Sequence, residues 1–181
     1  MATKWKIDTA HSEVQFKVKH LMITTVTGHF RKFDLNVDTD SDDFTTARKI
    51  VFTAEINSID TNNSQRDAHL RSADFFNAEE YGELRFVGNK YEVNGDDAKL
   101  YGDLTIKNVT RPLVLNVEHG GIVADPYGQT KAGFTVNGKI SRKEFDLTWN
   151  AITEAGQVVV GDEIKIHAEV QLVKQAELVN A

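Results

Sequence analysis

Apolar and polar residues alternate along most of this chain with a period of two, and few folds accept that pattern. Successive side chains of a β-strand point to opposite faces of the sheet. In "EVQFKVKH" this puts Val14, Phe16 and Val18 on one face and Glu13, Gln15, Lys17 and Lys19 on the other. The rhythm returns through Phe33, Leu35 and Val37, through Ile50, Phe52, Ala54 and Ile56, and through Leu84 and Phe86, then Tyr91 and Val93. It continues with Ala98, Leu100, Leu104 and Ile106, with Leu113, Leu115 and Val117, with Ala132, Phe134, Val136 and Ile140, and with Ile164, Ile166, Ala168, Val170 and Leu172. Val51 and Ile59 blur the outer side of the third run.

Strands with one apolar and one solvated face belong to antiparallel sheets, because parallel sheets are buried on both sides. Turn signals separate the runs: "VNGDD", "HGGIVADPYG" and "EAGQ". So many strands sharing one apolar face must hide their edges. A closed up-and-down barrel hides them completely, and a two-sheet sandwich is the rival arrangement. We expect the barrel, all-β, as a single domain over residues 1–181. With no cysteine, disulfides, thiolate metal sites and cysteine nucleophiles are excluded. A net charge of −6 with scattered lysines and arginines argues against nucleic acid. No stretch approaches the ~20 apolar residues of a membrane span, and the opening "MATKWKIDTAHSEV" lacks the apolar run of a secretory signal. As written, the chain is expected in the cytoplasm without stable membrane insertion.

Motif chemistry is sparse. His11, His20 and His29 are spaced nine apart, which suits neither neighbours on one strand nor one helix face, and no His-x-His or His-x-x-x-His occurs. No metal and no cofactor is therefore expected. Gly-x-Ser-x-Gly, a phosphate loop and Gly-x-Gly-x-x-Gly are all absent. Glu79 and Glu80 are adjacent, hence unable to face each other across a substrate as glycosidase carboxylates do.

Two places break the rhythm. "FDLTWNAITEAG", with Trp149 and the flanking Phe145, reads as a bulky plug or a strand with a large aromatic anchor. "RDAHLRSADFF", residues 66–76, crowds ionisable groups ahead of two phenylalanines. Ser64 followed three residues later by Asp67 is a variant capping box, Asn77 and Glu80 repeat the device, and Gly82 can end the turn. Residues 64–82 thus read as one or two short helices between strands. Leu70, Phe75 and Phe76 form its apolar side, toward the barrel, and Arg66, Asp67, His69 and Arg71 its polar side. Those charges either pair with one another or hold an anionic head group at the barrel opening. An enzymatic alternative makes His69 an acid/base oriented by Asp67 or another carboxylate.

The chain resembles the YceI-like family of bacterial proteins in "WKIDTAHSEVQFKVKHLMI", "GHFRKFDLNV", "SIDTNNSQRDAHLRSADFFNAEEYGELRF", "GDLTIKNVTRPLVLNV" and "SRKEFDL". It departs where relatives often carry a proline, here Gly82, and a glycine, here Asp146. The resemblance implies a lipocalin-like barrel, a polyisoprenoid or other long-chain apolar ligand in an internal tunnel, no catalytic constellation and, by analogy, a homodimer. Combined with the alternation, it makes Phe16, Val18, Phe33, Phe52, Ile56, Leu70, Phe75, Phe76, Phe86, Leu100, Leu104 and Phe134 the candidate tunnel residues. Arg66, His69 and Arg71 become candidates for its rim. Periodicity leaves one alternative open: a barrel filled by its own side chains, with the inward Ala54, Ala98, Gly102, Ala132, Gly138 and Ala168 interdigitating with the large residues.

Overall fold

The computed structural model describes residues 2–149 and 160–176. Its strands are β1 (Ala2–Ile7), β2 (Glu13–His20), β3 (Thr24–Phe30), β4 (Phe33–Asp40), β5 (Asp43–Glu55), β6 (Ile59–Asp60), β7 (Glu83–Asn94), β8 (Asp97–Ile106), β9 (Val109–Ala124), β10 (Thr130–Ser141) and β11 (Val160–Lys174). One α-helix, α1 (Ser64–Arg71), lies between β6 and β7. Every pairing is antiparallel, and they close into an eight-stranded barrel. Three of the eight positions are each filled by two consecutive segments: β1 with β2, β3 with β4, and β5 with β6. The last strand seals the ring, pairing its end with β1 (Leu172 opposite Ile7) and its earlier part with β2 (Ala168 opposite Val14).

The breaks in the two middle positions are stitched sideways. Arg31 N–H donates to the Ser58 carbonyl at 3.1 Å, and Glu55 N–H to the Lys32 carbonyl at 2.9 Å. Ile56 N–H donates to the Gly82 carbonyl at 3.0 Å, so Gly82 holds the return from the insert. Asp146, the other departure, has φ 60°, a left-handed conformation that glycine adopts more easily. Among the described residues no helix is long and apolar enough to cross a membrane.

In a meander the connections alternate between two ends. One end holds the β2–β3 turn, the insert with α1, the β8–β9 turn and the segment after Ser141. The other holds the β4–β5, β7–β8 and β9–β10 turns. This second end is plugged. Trp5 and Phe44 meet at 4.8 Å between ring centroids, Phe44 and Phe134 at 4.9 Å, and His119 stacks on Phe134 at 4.6 Å. The indole of Trp5 donates to Thr39 Oγ1 at 2.9 Å, which resolves the polar handle of a side chain only 1% exposed.

Several local expectations change. Asn63, not Ser64, caps α1, its side chain accepting from Arg66 N–H at 3.0 Å. Asp67 closes no capping box, because its carboxylate accepts from the N–H and hydroxyl of Thr61 instead. No second helix forms: Asn77 takes φ 52°, and residues 77–81 make a turn with Asn77 Nδ2 donating to Glu80 at 3.2 Å. "HGG" is no turn. The β9 strand runs through His119, Gly120 and Gly121 with a register shift opposite Gly133 and Phe134, and the chain reverses only at Asp125–Gln129. Ile59 is buried rather than on the outer side. "EAGQ" lies outside the described residues.

Some small inward residues do interdigitate. A Cβ on Gly28 would fall within the ring of Phe16, its direct partner across β2–β3, and one on Gly102 would meet the Phe86 ring. Packing nonetheless leaves space between the plug and the insert.

Two stability effects follow from the plug. Phe44→Ala removes the ring that bridges Trp5 and Phe134, and is expected to cost about 3–5 kcal/mol, read from the denaturant midpoint. The His119 Nε2 atom is buried without a hydrogen-bond partner, and desolvation holds the imidazole below its ordinary value of 6.5. The unfolded chain then takes up a proton that the folded one resists. Stability is full above pH 6.5 and falls as pH drops toward the folded value. His119→Phe should flatten that part of an equilibrium unfolding–pH profile; an unchanged slope would refute the assignment.

Candidate functional site: an apolar cavity under the insert

Between the plug and the insert lies a cavity of about 200 Å³. A single water needs only about 10–15 Å³ measured this way, so this is a substantial void. The barrel is not filled by its own side chains. Along β11 the lining runs from Val160 to Val170, which at the rise and tilt of barrel strands spans on the order of 20–25 Å. Among the described residues the surface facing the void is apolar, although Gln15 and the stem of Arg142 also line it.

Nine of the sequence candidates line it: Phe16, Val18, Phe52, Leu70, Phe75, Phe76, Phe86, Leu100 and Leu104. Three sit elsewhere. Phe134 belongs to the plug, stacked on His119. Ile56, 1% exposed, is packed in the turn that breaks the third strand position. Phe33 lies 6.4 Å from the Phe52 ring, stacked beside a wall residue instead of forming the wall. Inward alternation says that a residue enters the barrel; whether it meets void or neighbour depends on its height in the ring.

The insert roofs the cavity. α1 is too short and polar to be stable alone, and it is held by its cap and by the buried Thr61–Asp67 pair. Thr61 also accepts from Arg66 Nε at 2.7 Å, and its carbonyl from Arg66 Nη2 at 2.6 Å. Downstream, Phe76 N–H bonds to the Leu70 carbonyl at 3.0 Å, a contact that sets Leu70, Phe75 and Phe76 over the opening. Phe76 meets Phe30 at 6.4 Å, edge to face.

At the rim, His69 sits between two aromatics, 4.6 Å from the Trp149 ring and 5.1 Å from that of Phe75. Its Nε2 pairs with Asp74 at 2.9 Å, so the carboxylate beside it is Asp74 and not Asp67. Trp149 thus stands at the mouth against His69 and Phe75, outside any strand. Among the described residues no hydrogen bond or ion pair joins the three rim candidates: Arg66 is committed to Thr61 and His69 to Asp74. The guanidinium of Arg71, half-buried, makes no hydrogen bond or ion pair among the described residues. Among those residues, too, no three histidine, aspartate or glutamate side chains gather as a metal site requires.

The sequence reading missed Arg142. This residue, 2% exposed, donates from Nε to the Gly161 carbonyl at 2.9 Å and from Nη1 to the carbonyls of Leu147 and Trp149. Nη2 reaches Val160 at 3.3 Å. Burial of the guanidinium lowers its proton affinity, with Asp162 opposing that effect. One cation therefore ties the start of β11 to the segment carrying Trp149. A basic residue in "ISRKEF" gives no sign of such burial.

A family profile, the YceI-like domain, matches residues 5–172. The chain belongs to the YceI-like family. A UPF0312 protein of Staphylococcus epidermidis is 39% identical over 170 residues, covering 93% of this chain and 96% of its own length. The crystal structure of a Campylobacter jejuni YCEI protein superposes with a TM-score of 0.74 at 34% identity, over 88% of this YceI-like chain and 90% of the other. A polyisoprenoid binding domain from Saccharophagus degradans, implicated in plant cell wall breakdown, shares the fold with a TM-score of 0.65 at 13% identity, over 94% and 98% of the two chains.

The Arg142 network gives a direct test. Arg142→Met keeps the stem on the cavity wall but strands buried carbonyls, and is expected to destabilise the protein by about 1–3 kcal/mol. Arg142→Lys should rescue little, since an ammonium cannot reproduce the planar fork. Thermal unfolding of both variants checks this; full rescue by lysine would show that charge alone matters.

Proposed function

We propose that this YceI-like chain is a non-catalytic binding protein that holds an isoprenoid-type lipid, a polyprenyl or quinone tail, inside the barrel. The observation that carries the reading is the cavity: about 200 Å³ of unfilled space with an apolar wall. Left empty, such a void forfeits on the order of 5 kcal/mol, at roughly 24 cal/mol per Å³. That is comparable with the whole stability of a typical domain. A hydrocarbon occupant recovers it, each buried methylene contributing about 0.8 kcal/mol and a five-carbon unit about 3–4 kcal/mol before ordering costs. The length of the cavity suits a linear chain. The polyisoprenoid binding described for the S. degradans domain supports the ligand class.

Binding is favoured over catalysis because no described residue presents a polar group to the cavity that could orient a reacting atom. His69 and Asp74 form an acid–base pair, but at the rim, wedged between aromatic rings. Arg71, with no protein partner among the described residues, is the rim cation suited to a phosphate or carbonyl head group.

Titration with polyprenols and long-tailed quinones, followed by Trp149 fluorescence and native mass spectrometry, tests the reading. Leu100→Trp and Val136→Phe each fill the cavity from a different strand, and each is expected to weaken binding at least about tenfold while the fold is retained. Arg71→Gln should weaken ligands with a phosphate or carbonyl head group and leave polyprenols close to wild type. His69→Ala should leave chain binding close to wild type. Failure of the wild-type protein to take up any apolar chain would overturn the proposal.

A further inference from the structure

The β2–β3 turn contradicts its own sequence. Leu21 and Met22 both have positive φ, 51° and 59°, and Ile23 N–H donates back to the His20 carbonyl at 3.1 Å. Left-handed conformations at both central residues favour Asn-Gly or Gly-Gly and disfavour bulky side chains. Packing does not compensate, because Met22 and Ile23 are 62% and 77% exposed. A strained turn that displays large apolar groups to water gains nothing for the fold.

The alternation of connections puts this turn at the same end of the barrel as the insert and Trp149. Just behind it, lysines line up across the outer wall. Lys17 lies directly opposite Lys165, and Lys165 directly opposite Lys139, on β2, β11 and β10. All three are exposed, as is Lys19 one step closer to the turn. Like charges in register repel. Among the described residues no carboxylate lies within ion-pair distance of any of the four. Their neighbours in the row are Thr27 and Val114, with Asn137 and His167 below and Glu163, opposite Ser141, above. In a chain of net charge −6, this is a local concentration of positive charge.

The opposite end provides a contrast. Val123 and Tyr127 are also exposed there, at 64% and 89%, but beside Asp125, and the neighbouring Lys131 is paired with Asp8 and Asp125. At the mouth end the apolar tip stands beside three lysines in register. Such a pair of signals suits an anionic lipid surface: apolar side chains enter the boundary between head groups and acyl chains, and lysines sit in the negative surface potential.

We propose that the mouth end docks reversibly on anionic bilayers, with Met22 and Ile23 inserted and Lys17, Lys19, Lys139 and Lys165 facing the head groups. The purpose of docking rests on the carrier reading, since it brings the cavity mouth to the membrane where an isoprenoid chain resides. Its physics does not.

Co-sedimentation with phosphatidylcholine vesicles, with and without phosphatidylglycerol, tests the docking. The wild-type protein should sediment with the anionic vesicles and be released by salt. Ile23→Ser and the pair Lys17→Gln with Lys165→Gln should each lower the vesicle partition coefficient about tenfold, and Tyr127→Ser should not change it. Met22→Gly is the sharpest variant, because glycine relieves the turn: it should bind vesicles more weakly yet melt no lower than wild type. Equal sedimentation on both vesicle types, or none, overturns the proposal, as does undiminished binding by Ile23→Ser. Uptake of a polyprenol presented in cyclodextrin without vesicles is measured in parallel. Uptake without docking rejects the membrane surface and leaves the carrier intact, and docking without uptake rejects the carrier.

Discussion

Closure through β11 is the constraint on which the remaining structure depends. This strand pairs with β10 along one side, and with both β1 and β2 along the other. Closing the ring turns every inward side chain toward a common axis, so the apolar alternation becomes an interior instead of a face awaiting a partner. It also sets the geometry that leaves space. Where Gly28 faces Phe16, or Gly102 approaches Phe86, packing is tight; between the plug and the insert the apolar side chains leave a cavity.

The two ends then take different chemical characters. At one, Trp5, Phe44, Phe134 and His119 seal the axis with aromatic contacts, and Thr39 satisfies the indole. At the other, the roof is an insert whose polar residues are spent on local structure: Asn63 caps, while Asp67 and Arg66 converge on Thr61. The apolar residues of the same insert face the void. Arg142 fixes the neighbouring segment from beneath through backbone carbonyls, so the mouth is built by buried hydrogen bonds as much as by hydrophobic contact. A closed floor, an apolar shaft and a mouth framed by Trp149 and His69 are the parts a chain-binding barrel requires.

The sequence signals varied in reach. The alternating strands were legible because a half-buried strand repeats every two residues, and nine of the twelve candidates drawn from that period and the insert line the cavity. β1 and β3 were not legible: "ATKWKI" is mostly polar around a single tryptophan, and "TTVTGHF" is rich in threonine. Each is only half of a strand position, too short to show a period. The Gly120–Gly121 pair imitated a turn because glycine serves bulges and turns alike.

What the sequence determined by itself was therefore the class of fold, the inward set of residues and the presence of a capped helical insert. Each depends on local periodicity or on neighbours within a few positions. The tertiary structure alone decided which inward residues border empty space, that Arg66 is consumed by Thr61 while Arg71 is not, and that a buried arginine binds the mouth together. It also decided that the apolar turn at Met22 and Ile23 shares an end with that mouth. These depend on strand order, height in the ring and partners far apart along the chain, and period two carries no information about any of them.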